Sequence, residues 1–303
     1  MPHTHQHHLT GQHTNSKLSR TFMICIWLNV IYVVIEAGFG FATDSMGLLS
    51  DAGHNLSDVA SLILALVAYK ASLHSPTDKY TYGFKRATVS ASVINALILY
   101  AAVALILFES VRRLLHPDAV DGEVVSWVAG AGIIINGLTA MLLMKDSHHD
   151  LNVRGAFLHM AADTLVSVGV VISGIVISLT GWYIIDPLIG IVIAVLIAVT
   201  SLSMLKGCLS LALDGVPENI DINKVKDAVK HTSGVSSYHH LHIWALSTTE
   251  SAMTVHVIVN DTRDIDKVIK SVRDAVEPLG ITHVTVEAES SATTCGCNDT
   301  ICL

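Results

Sequence analysis

The chain is 303 residues long, 51% apolar and only 15% charged, with a mean hydropathy of +0.55. Soluble domains carry about 25% charged residues, so this deficit argues for a membrane protein before any segment is inspected. A formal net charge of −8 leaves no basic patch and excludes nucleic acid as a partner.

In chain order, residues 1–20 are polar and rich in histidine (His3, His5, His7, His8, His13) and read as a disordered cytosolic tail. They lack the short apolar core and small-residue cleavage site of a signal peptide. Six apolar runs follow, near 21–43, 47–72, 87–113, 122–144, 153–180 and 184–206. Each has the roughly 20 residues needed to cross a bilayer, so 21–208 is expected to be a six-helix transmembrane domain. Lys17, Arg20, Lys70, Lys79, Lys85, Arg86, Lys145, Arg154 and Lys206 fall on one side of the runs. Arg112 and Arg113 fall on the other, offset by Asp118, Asp121 and Glu123. The excess of cations marks the cytoplasmic side, and both termini are expected there. An integral protein of a bacterial inner (plasma) membrane is the expectation.

Beyond Cys208 the composition turns soluble. Helical spacing over 221–231, strands over 238–246 and 251–260, a helix over 264–277 and a strand over 281–287 predict a small cytosolic α-β-β-α-β domain over 209–290. The fold class is therefore mainly α, six transmembrane helices plus this α/β domain. Residues 291–303 form a tail bearing Cys295, Cys297 and Cys302. With Cys25 and Cys208 isolated, no disulfide framework is present.

Chemistry concentrates in one pattern used twice. His54 and Asp58 lie in the second run, His159 and Asp163 in the fifth. Residues four apart share a helix face, so each pair presents an imidazole beside a carboxylate. Ionisable groups inside a span are costly and normally face a cavity or a partner. For a single pair, an interfacial location or a ligand-free His–Asp hydrogen bond would suffice. Two pairs in an otherwise nearly charge-free region favour a shared His2Asp2 metal site, a tetrahedral zinc set. Two carboxylates neutralise a divalent cation, and the borderline ligand set suits zinc. Metal requires deprotonated ligands, so loading and protonation oppose each other. Four protein ligands leave no position for a reactive water and no H-E-x-x-H occurs, so the chain is not expected to be an enzyme. Glu36 either lines the same pathway or sits near a helix end, and Asn95 and Asn136 are expected to be inter-helix hydrogen-bond partners.

Three segments resemble the cation diffusion facilitator family, on its zinc-exporter branch. They are Ser50-Asp51-Ala52-Gly53-His54-Asn55-Leu56-Ser57-Asp58, Tyr82-Gly83 leading into Lys85-Arg86, and His240-Leu241-His242-Ile243-Trp244-Ala245-Leu246. The likeness runs from about residue 20 to 290. It implies a homodimeric antiporter that exports Zn2+, with Cd2+ or Co2+ as further candidates, in exchange for protons. It also implies a metallochaperone-like cytosolic domain and a transport site on His54, Asp58, His159 and Asp163. A second metal site that some members carry between helices two and three is expected to be absent or weakened, because no histidine follows His74 in that loop. By position, the family's cytosolic zinc ligands fall on His239, His256 and Glu289, with Glu287 as a substitute. Strand alternation puts His240 and His242 on one face and His239 with Leu241 and Ile243 on the other. The plain alternative for any one of these histidines is a half-exposed surface residue. Cys295, Cys297 and Cys302 offer soft thiolates that lean towards metal rather than disulfide in a reducing compartment. A membrane-bound zinc sensor without transport is the rival reading.

Overall fold

The computed structural model describes residues 9–42, 46–115, 122–148, 150–180 and 184–290. The chain divides between Lys206 and Gly207 into two compact units.

The first unit is built from long helices: α1 (Leu9–Ala42), α2 (Met46–Ser72), α3 (Ala87–Leu115), α4 (Gly122–Met144), α5 (Leu151–Thr180) and α6 (Ile185–Ala212). Helix is the natural state of such segments, because it pairs backbone polar groups within a single segment without water. Leu18–Gly38, Ala87–Leu115 and Gly190–Ala212 are long and apolar enough to cross a membrane by length and composition. Trp27, Ile31 and Val34 on α1, Leu105 and Phe108 on α3, and Val192 and Val199 on α6 face outward, an apolar exterior suited to lipid. Helix α1 begins at Leu9, inside the segment read from sequence as a disordered tail. A polar stretch continues a helix readily once the apolar part has nucleated it.

Helix α1 packs along α2, α4 along α5, and α2 and α3 both reach α5. Phe22, Leu62, Ala65, Leu143, Val153, Ala156 and Met160 form the core between them. Buried polar side chains stitch the helices together. Asn29 donates to Thr139 Oγ1 (3.0 Å), Tyr100 to the Ala198 carbonyl (2.7 Å) and Asn152 to the Ala65 carbonyl (3.0 Å). Asn95 departs from expectation: it is buried, yet neither end of its amide is hydrogen-bonded among the described residues. It lies at a close approach of α3 to α5, for a Cβ on Gly155 would stand 3.3 Å from the Asn95 Cβ.

The second unit follows the expected α-β-β-α-β order: α7 (Ile222–Lys230), β1 (Val235–Ala245), β2 (Ser251–Val259), α8 (Ile265–Val276) and β3 (His283–Ser290). Asp221 caps α7 by accepting from the Asn223 and Lys224 backbone amides. At the turn before α8, Asp261 accepts from the Arg263 side chain (2.7 Å), which holds its carboxyl below the usual range. The sheet order is β1-β2-β3, with β1–β2 antiparallel and β2–β3 parallel. Val225 and Val229 of α7 and Val268, Val272 and Val276 of α8 repeat every four residues, so each helix lays one apolar stripe on the sheet. Met253, Val255, Val257 and Val259 receive them, which leaves the alternate residues of β2, Thr254, His256 and Ile258, on the opposite face.

Candidate metal centres

The first centre lies where α2 and α5 cross the core of the helical unit. Asp58 projects from α2, His159 and Asp163 from successive turns of α5. All three are buried, with exposures of 0%, 2% and 8%. His159 Nε2 stands 2.8 Å from Asp58 Oδ1 and 3.8 Å from Asp163 Oδ2. One donor atom from each residue falls within a 4.8 Å set. A tetrahedral zinc with bonds of about 2 Å needs donors about 3.3 Å apart, so the observed separations bracket that requirement. The short His159–Asp58 contact holds a proton between two groups that a divalent cation would also join. Proton and metal therefore compete for one place. The backbone of His54 lies on α2 one turn before Asp58, but its side chain is outside the described residues.

Glu36 is also buried, between α1 and α2, rather than at a helix end. Asn55 Nδ2 donates to its Oε2 (2.7 Å) and the Tyr32 hydroxyl to its Oε1 (3.3 Å). Asn55 neighbours His54 in sequence, so this network ties α1 to the turn of α2 that precedes Asp58.

The second centre is on the helix-free face of the sheet. His239 and His256 are directly paired across β1 and β2. His256 Nδ1 lies 2.8 Å from Glu289 Oε1, and His256 Nε2 lies 3.3 Å from Glu287 Oε2. His239 Nε2 stands 3.5 Å from the same Glu289 oxygen and makes no hydrogen bond among the described residues. Donor atoms of His239, His256 and Glu289 form the second 4.8 Å set. Side-chain exposures of 13–27% make this centre half-buried, whereas Glu287, at 65%, sits at its rim.

His239 lies on the opposite face of β1 from the one that strict alternation predicts. Between the His239↔His256 and His242↔Thr254 pairs, two residues of β1 oppose one of β2. This is a β-bulge, and His240 takes it in the left-handed region with φ of 50°. The extra residue reverses the alternation. Tyr238, Leu241 and Ile243 pack on the core, and His239 faces away from them with the other ligands. His240, which alternation does not place with His239, also belongs to the cluster. Its ring centroid is 5.0 Å from that of His256 and 5.2 Å from that of His239. The adjacent pair His239-His240 was the available signal, but period-two logic separates neighbours, and only the bulge brings them together. His283 opens β3 opposite Ala252, away from the cluster. Cys295, Cys297 and Cys302 lie outside the described residues.

Comparison with known proteins fits this division of the chain. Residues 22–211 match the family model described as cation efflux transmembrane domain, and residues 217–291 match that of the cation efflux protein cytoplasmic domain. The chain is 33% identical over 285 residues to a Bacillus subtilis protein named cadmium, cobalt and zinc/H(+)-K(+) antiporter, covering 92% of each chain. It is 34% identical over 273 residues to the metal cation efflux system protein CzcD of Cupriavidus metallidurans, covering 89% of this chain and 86% of that one. It is 32% identical over 293 residues to the zinc transporter ZitB of Escherichia coli, covering 95% and 93%. With apolar helices around a buried carboxylate–imidazole cluster and both family models matched in order, the chain belongs to the cation efflux family, the cation diffusion facilitators of the motif resemblance, and is an integral-membrane cation transporter rather than an enzyme.

Proposed function

We propose that this protein exports Zn2+ from the cytoplasm in exchange for protons, through a His2Asp2 site formed by His54, Asp58, His159 and Asp163. The observation that carries the reading is the convergence of Asp58, His159 and Asp163 inside an apolar helical unit. Two carboxylates and imidazole nitrogen suit a divalent borderline ion, so Cd2+ and Co2+ are further cargo. The names of the relatives, zinc transporter and cadmium, cobalt and zinc antiporter, support the same cargo and an exchange mechanism.

The cycle follows from charge. With the site open to the cytoplasm, Zn2+ displaces the proton shared by His159 and Asp58 and neutralises Asp58 and Asp163. With the site open to the other side, protons compete for the same donors and expel the metal. An unneutralised pair of buried carboxylates is costly in the membrane, so the site exchanges one cation for another instead of standing empty. The working unit is a homodimer in a bacterial inner membrane, with six crossings per chain and both termini cytoplasmic.

The cytosolic domain holds a second, resident Zn2+ on His239, His256 and Glu289, with Glu287 as a substitute. Two imidazoles and a carboxylate within one 4.8 Å set are a fitting donor chemistry. His240, beside both histidines, is a further donor, and bound zinc there stabilises the sheet against which the subunits pair. Cys295, Cys297 and Cys302 add thiolate donors from the tail.

The test is Zn2+ uptake by everted vesicles under an imposed pH gradient. Uptake should follow the gradient and vanish in Asp58→Ala and Asp163→Ala. Transport at the parent rate by either variant would refute the central site. Zinc-dependent shape change without flux would instead support the sensor.

A further inference from the structure

Two contacts set the register of α2 against α5. Asp58 meets His159, and Asn152 Nδ2 donates to the Ala65 carbonyl. The steps 58 to 65 and 159 to 152 are both seven residues, so the helices run antiparallel with the contacts about 10 Å apart. Ser61, three residues after Asp58, lies on the same face of α2 between them. On α5 the face runs Asn152, Gly155, His159, Asp163, and Asn95 of α3 closes over it at Gly155.

No ionisable side chain of α2 or α5 lies on these faces between the two contacts, but they are not purely apolar. Ser61, Asn95 and Asn152 are 3%, 2% and 0% exposed. Ser61 Oγ, Asn152 Oδ1 and both amide atoms of Asn95 have no hydrogen-bond partner among the described residues. Buried polar atoms in native proteins are nearly always satisfied, and exceptions want a reason. Leucine has nearly the shape of asparagine and would leave nothing unpaired in Asn95's place. By helical spacing Ser61 and Asn152 share the α2 and α5 faces that carry Asp58, His159 and Asp163, and Asn95 meets the α5 face at Gly155.

We propose that Asn95, with Ser61 and Asn152, forms a neutral oxygen way-station. A partly hydrated divalent cation passes it between the N-terminal end of α5 and the Asp58–His159–Asp163 site. The proposal rests on the transport reading, whose orientation puts that end of α5 in the cytoplasm. Neutral oxygens replace part of the ion's water shell without the grip of a carboxylate. Conduction requires that balance, with binding favourable enough to enter and weak enough to leave. A carboxylate at the same depth would make a second trap, and an apolar seam a barrier.

The experiment compares full-length Asn95→Leu, Asn95→Ala and Asn95→Ser in everted vesicles, with zinc titration of the purified variants. Initial Zn2+ uptake by Asn95→Leu should fall at least about tenfold while zinc affinity stays within about twofold of the parent. Asn95→Ser, which restores an oxygen, should recover to within about threefold. Uptake by Asn95→Leu at the parent rate, or equal loss of binding and uptake, would overturn the way-station. If Asn95→Leu does not assemble, Asn95→Ala against Asn95→Ser decides, since the two differ by one oxygen, and equal rates overturn it. A parent chain that takes up no Zn2+ would overturn the transport reading and this proposal together. Failure of the Asn95 series alone would overturn only the way-station.

Discussion

The two candidate metal centres use similar donors in opposite surroundings. The helical centre gathers Asp58, His159 and Asp163 at exposures of 8% or less, and the sheet centre gathers His239, His256 and Glu289 at side-chain exposures of 13–27%. Burial decides what each can do. A charge deep among helices cannot be screened by water, so the helical centre must always hold a cation or protons, and it is suited to exchange. The sheet centre meets solvent on one side, so its donors are hydrated when no cation is held and do not demand a permanent counter-charge. Under the proposed function, similar donors would serve transport in one unit and zinc sensing or stabilisation in the other.

The largest expected effect separates the centres outright. Asp58→Ala should lower Zn2+ uptake by about a hundredfold or more, equivalent to about 2.7 kcal/mol, and leave zinc binding by the sheet centre intact. Equal loss at both centres would erase the distinction. Conversely, His256→Ala should weaken zinc binding at the sheet centre by about a hundredfold while the helical centre still transports. Isothermal titration of the purified chain, read beside vesicle uptake, measures both. Packing provides the next effect. Gly155→Val would drive a side chain against the Asn95 Cβ, which stands 3.3 Å from where a Cβ would lie. Overpacking of this kind costs about 1–3 kcal/mol and should lower the melting temperature and the uptake rate together.

The bulge offers a finer test. His240→Val places a β-branched residue in the left-handed region at a cost of about 1–2 kcal/mol, whereas His240→Gly relieves the backbone. Zinc affinity lost in the valine variant and kept in the glycine variant would mean that His240 acts through the bulge. Loss in both would make its imidazole a ligand.

The smallest effect is a control on acid. Acidification should release zinc from the sheet centre, because protons and metal compete for the same donor atoms. Asp261 behaves in another way. Arg263 lowers its pKa in the folded state, so the stability it contributes is present above the usual carboxylate range and fades only as pH falls through the lowered value. Arg263→Ala should therefore leave zinc release unchanged and barely move the melting temperature. A shift in the zinc-release curve would show that general acid weakening, rather than ligand protonation, governs it.

Much of this was legible along the chain. The apolar runs, the α-β-β-α-β order and the two H-x-x-x-D pairs follow from periodicities of 3.6 and 2, which are local properties. Departures arose where a local rule met a non-local contact. Residues 9–20 read as disordered by composition but continue α1. Alternation puts His239 on the core face, and one extra residue at His240 reverses it. Spacing reads Asn95 as a cross-linker, yet it has no partner among the described residues, which depends on what α5 places against it at Gly155.

Sequence by itself determined which residues can ligate a cation and that they lie on helices too apolar for water, because spacing and hydropathy belong to single segments. Only the tertiary structure decided that Asp58 meets Asp163 through His159, that an imidazole pair faces outward from the sheet, and that Asn95 packs against α5 at Gly155 with no hydrogen-bond partner among the described residues. Those facts depend on helix register and strand register, and register is set by packing between segments far apart in the chain.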